Sequence, residues 1–110
     1  MKQVRRKVEI KIEAGEINYS AALLRAHPGD TIRWWSKHGP FAIQFAGISP
    51  VSFGGGRSGR GSKSRFSLEG IVRDGAEPGA YRYACALVVD GEVHLDAGCP
   101  EIIIDTDGQS

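Results

Sequence analysis

At 110 residues the chain is long enough to bury one core, with no room for a second domain beside it. Hydrophobic residues at 41% and charged residues at 25% are ordinary for a globular protein, and 14 Lys+Arg against 13 Asp+Glu leave a net charge of +1. No global charge draws the chain to nucleic acid or to an acidic surface, and the opening MKQVRRKVEIKIEAGE lacks the apolar run of about 7 to 15 residues that makes a secretory signal. No stretch approaches the roughly 18 apolar residues of a membrane helix, so the expectation is a soluble, cytoplasmic protein.

In chain order the pattern has a period of two. Val4 to Ile12 reads as a strand, because Val8, Ile10 and Ile12 alternate with Lys7, Glu9 and Lys11; as an edge strand it offers pairing to a partner, which its cations also oppose. Ile17 to Ala22 reads as a second short strand, and AALLRA as extended chain rather than a helical turn, since HPGD follows as a turn signal. Thr31 to Trp35, Phe41 to Phe45, Arg65 to Val72, Tyr81 to Val89, Glu92 to Leu95 and Ile102 to Asp105 follow as strands. Asp90-Gly91 marks a two-residue hairpin of type I′, pairing Leu87 with His94 and Cys85 with Asp96. Eight short strands separated by turns predict an all-β fold, an antiparallel sandwich or barrel.

Between Gly54 and Arg65 the sequence turns to GGGRSGRGSKSR, whose glycines and like charges predict a flexible loop at 54–65. Its GxGxxG spacing carries no dinucleotide signal, since no parallel βαβ unit surrounds it. Arg57, Arg60, Lys63 and Arg65 are candidate phosphate contacts, but single-strand binding also calls for stacking aromatics, and only Phe53 and Phe66 flank the loop. Nucleic acid is therefore not the expected partner.

GDTIRWW, GPFAIQF, PGAYRYAC and the closing PEIIID stand in the order and spacing of the cupredoxin family, so the chain resembles that family over roughly residues 4 to 105. The resemblance implies a single domain folded as an antiparallel Greek-key sandwich of about seven or eight strands, many relatives holding one copper through two histidines, a cysteine and a weak methionine. Cys85 falls at the family's thiolate. Phe41 stands where the first histidine belongs, Val88, Val89 and Asp90 where the second does, and the only methionine is Met1. The ligand set is therefore mostly missing, and no cofactor is expected.

His38, His94 and Cys99 could rebuild an atypical centre for copper or zinc around Cys85, though without the usual short ligand pairs. In a reducing compartment Cys85 and Cys99 are expected as thiols. Tyr81, Tyr83 and Cys85 share one strand parity, which the resemblance turns inward against Ile32, Trp34, Ile43 or Phe45, so burial alone accounts for them. Ser49, Ser52, Cys85 and Cys99 are possible nucleophiles, but no nucleophile, base and orienting group assemble in sequence, and an enzyme is not expected.

Trp34 and Trp35 must point to opposite faces; with Trp34 inward, Trp35 points out beside Arg33. Trp35, His38 and Phe41 are the candidate partner-binding residues, forming an aromatic, mildly basic patch for another protein or a small ligand. The reading is a non-catalytic binding or interaction module without copper; the alternative is an atypical metal or electron-transfer protein using Cys85 with His94, Cys99 or His38.

Overall fold

The computed structural model describes residues 4–53, 58–62 and 65–105, without the side chains of 58–62, 65 and 97–99. Ten strands follow one another: β1 (Arg5–Glu13), β2 (Glu16–Tyr19), β3 (Leu23–Ala26), β4 (Thr31–Ser36), β5 (Phe41–Phe45), β6 (Val51–Phe53), β7 (Ser58–Ser62), β8 (Arg65–Val72), β9 (Gly79–Val89) and β10 (Glu92–Ile104). They form two facing sheets, β2-β1-β4-β8 and β5-β9-β10-β3; β7 bridges β8 to β5, and β6 pairs with β8.

Alternation dictates which face is buried. Val8 and Ile10 on β1, Ile32 and Trp34 on β4, Ile43 and Phe45 on β5, and Tyr83, Cys85 and Leu87 on β9 close on one another between the sheets. At about 25 cal/mol per Å² of apolar area removed from water, this interior is the main source of stability. Its centre is aromatic: the Tyr83 ring lies 5.8 Å from Trp34 and 5.3 Å from Phe45. Trp34 Nε1–H donates to Tyr83 Oη at 3.2 Å in full burial. Burial pushes the Tyr83 hydroxyl up to about 12, against the pull of that bond. Tyr83→Phe keeps both rings but strands a buried indole donor, so urea denaturation should read a loss of about 1 to 2 kcal/mol.

The Asp90-Gly91 hairpin forms as expected, with φ of 52° and 79°, and it sets Leu87 against His94 and Cys85 against Asp96.

Four expectations are corrected. β1 lies between β2 and β4 rather than at the end of the sheet: Arg5 to Glu9 run parallel to β4 and Ile10 to Glu13 pair with β2, each half having a described partner on one side. The sandwich is not wholly antiparallel, since β3 also runs parallel to β10. Glu92 to Leu95 and Ile102 to Asp105 join into the single strand β10, carried across a register shift between Ala97 and Glu101. Finally, within 54–65 the segment Ser58–Ser62 is strand rather than loop, because β5 and β8 each offer it a backbone ladder; 54–57 and 63–64 lie outside the described residues.

Candidate functional site

The pole at which a metal would be expected lies around Cys85. This residue is on the inner face of β9, 2% exposed, opposite Ile43 on β5 and Asp96 on β10. Burial pushes its thiol up to about 12, the nearby Tyr19 hydroxyl opposing and the charge of Asp96 adding to the shift. A buried, protonated sulfur is a small hydrophobe rather than a ready ligand. The Tyr19 hydroxyl is buried close to the Cys85 thiol and the Asp96 carboxylate, yet closes no hydrogen bond of ordinary geometry with described atoms. Burial, reinforced by Cys85 and Asp96, raises its pKa as well.

The chain around that pole is zipped shut. Phe41 is 3% exposed and belongs to the core. Val88 N–H donates to Pro40 C=O at 2.9 Å. A Cβ on buried Gly39 would fall well inside contact distance of the Val88 carbonyl oxygen, so glycine alone allows the strand-to-strand approach. His38 is half-buried in the preceding loop, its N–H bonded to Ser36 Oγ at 3.1 Å. His94 is half-buried, and its Nε2 lies 3.9 Å from Glu92 Oε1. Among the described residues no group of three His, Cys, Asp or Glu side chains converges as a metal site. The Cys99 side chain lies outside the described residues.

The two surface expectations fare differently. Trp35 does point outward from β4, half-buried, lining a hollow of about 120 Å³ with Lys7, Arg33 and Ser67. Phe41, however, faces inward from the opposite sheet, so no Trp35 and Phe41 patch exists; the alternation Phe41, Ile43, Phe45 carried that signal. Arg57 and Lys63 fall outside the described residues. Arg60 lies on β7 in register with Ser67, and Arg65 opens β8; their side chains are likewise undescribed. Lys7 and Ser67 were not legible as site residues, because the β1–β4 and β4–β8 registers that bring them beside Trp35 are tertiary. A second hollow, of about 310 Å³, sits on the outer face of the other sheet, where Ala42, Ala84 and Ala86 form a floor beside Leu95, itself 76% exposed.

Ser49 Oγ is occupied in its own turn, donating to Val51 C=O at 2.7 Å and accepting from Val51 N–H at 3.1 Å. No helix is long and apolar enough to cross a membrane among the described residues.

Two facing sheets with Cys85 inside near one end define the cupredoxin-like sandwich. A purple cupredoxin from Nitrosopumilus maritimus superposes with a TM-score of 0.54 at 14% identity, over 91% of this chain and 99% of that one. A Cu(I) structure of an amicyanin mutant gives 0.51 at 18% identity, over 92% of this chain and 82% of that one. No family model and no curated protein matches the sequence. These likenesses define the fold. The donors do not fit the copper of that fold: there is one buried thiol where two imidazoles and a thiolate are needed, and the resemblance puts Phe41, and Val88, Val89 or Asp90, at the imidazole positions.

Proposed function

We propose that the protein is a non-catalytic binding module on a cupredoxin-like scaffold, working without copper through its surface. The observation that carries this reading is the closed pole: Gly39 against the Val88 carbonyl, Pro40 bonded to Val88 N–H, and Phe41 in the core take the space and the positions of the ligands. With the pole filled, concave features remain on the outer sheet faces, beside Trp35 and beside Leu95, and two more lie beside Ile48 and Tyr81. An intact packed scaffold presenting such faces recognises another protein or a small ligand by shape and charge.

The test is a titration of the purified protein with Cu(II), and with Cu(I) followed by reoxidation. No intense visible band is expected, and the thermal midpoint should stay where it is without metal. A stoichiometric thiolate-to-copper band that Cys85→Ser abolishes would overturn the reading and restore the atypical metal centre.

A further inference from the structure

Lys7 and Arg33 are register partners on the parallel strands β1 and β4, and both lie on the outer face of the sheet. Neither enters an ion pair among the described residues, although Glu69 stands opposite Arg33 on β8. Arg5 follows on the same face, beside Thr31. Like charges directly opposite each other destabilise a sheet, and an anion seated between Lys7 and Arg33 removes that repulsion.

The hollow they line with Trp35 and Ser67, about 120 Å³, holds an acidic head group but is too small for a nucleobase with its phosphate. Ser67 brings a hydroxyl donor and Trp35 a flat apolar wall, the combination that receives a charged group carried on a short apolar stem. The positive charge is also local. Glu9, in register with Trp35, and Glu69, in register with Arg33, bracket it on either side. A polyanion tracking across the sheet would run over one of these carboxylates, whereas a single acidic side chain seats between Lys7 and Arg33 without crossing either. Across the strands, the backbone register sets Glu9, Trp35, Ser67 and Arg60 in one row.

We propose that this outer sheet face docks an acidic peptide segment of a partner protein, one Asp or Glu carboxylate seated between Lys7 and Arg33 against Trp35. The proposal rests on the binding-module reading and gives it a site and a partner chemistry.

The experiment is a two-dimensional ¹H–¹⁵N NMR titration of the full chain with three probes: an acetylated Gly-Asp-Tyr-Asp-Gly peptide, the same peptide with Asn for Asp, and a short oligo-dT. The acidic peptide should shift the Trp35 indole and the Lys7, Arg33 and Ser67 amides saturably, with the Asn peptide about tenfold weaker or worse. Lys7→Gln with Arg33→Gln should weaken the acidic peptide by about tenfold while the buried Trp34 indole resonance stays in place; should the double variant fail to fold, exposed Lys7→Gln alone should still weaken it severalfold. Equal shifts from the Asn peptide, tighter binding of oligo-dT, or no saturable shift at these residues overturns the proposal. Shifts centred on Ala86 and Leu95 instead would remove this site but leave the binding-module reading standing, which only the copper result removes.

Discussion

Gly39→Ala is expected to lower the stability of the fold by about 3 kcal/mol, read from urea or thermal unfolding. The added methyl meets backbone, not a pliable side chain: the Val88 carbonyl oxygen lies well within contact, and the Val88 carbonyl carbon at 3.0 Å. Relief requires the Gly39-Pro40 segment to lift from β9, which breaks the 2.9 Å bond from Val88 N–H to Pro40 C=O and loosens Phe41 beside it. The result bears on function as well as on stability. An unchanged midpoint would mean that the segment moves away at little cost, and the pole could then no longer be described as filled by packing.

Asp30→Asn should cost about 2 to 4 kcal/mol at neutral pH. Asp30 is 2% exposed, and its carboxylate gathers three donors: Val4 N–H at 3.2 Å on Oδ1, with Arg6 Nε–H at 3.0 Å and His27 N–H at 2.9 Å on Oδ2. It thereby ties the entry of β1 to the turn before β4, while its own carbonyl accepts from Val72 N–H at 2.8 Å at the end of β8. An amide in its place turns an NH₂ toward donors or leaves one unmet. Burial alone would raise the carboxyl's pKa, but the bonds from His27, Arg6 and Val4 outweigh it and hold the pKa below the usual value. The stability that Asp30 supplies is therefore complete above the ordinary carboxyl range, near about pH 4, and is lost as pH falls through the lowered folded value. Chemical denaturation across acid pH should show the wild-type and Asp30→Asn curves converging. Parallel curves down to the lowest pH would sink this assignment.

Much of the fold was legible because strand alternation is local. Val8 and Ile10, Ile32 and Trp34, and Tyr83 and Cys85 sit inside as their parity requires, and Asp90-Gly91 set the β9–β10 register correctly. What escaped depended on neighbours. Nothing in SGRGS says strand; Ser58–Ser62 becomes β7 because β5 and β8 leave a gap with unpaired backbone on both sides. The three residues of β6 are too few to show a period. Gly98, Cys99 and Pro100 fall between the two expected strands Glu92 to Leu95 and Ile102 to Asp105, yet β10 passes through them on a register shift. At the site, the outward turn of Trp35 followed from its neighbour Trp34, whereas its companions Lys7 and Ser67 arrive from 28 and 32 residues away through pairings no local pattern encodes. Asp30 read only as part of a turn, since its donors come from β1 and the far side of that turn.

The parallel pairing of β3 with β10 has a consequence for how the molecule is made. Leu23 to Ala26 take their backbone ladder from Glu101 to Ile104, about 80 residues later. On the ribosome, then, the early strand waits unmatched until almost all of this stretch has emerged, and the domain closes in one late event instead of growing piece by piece.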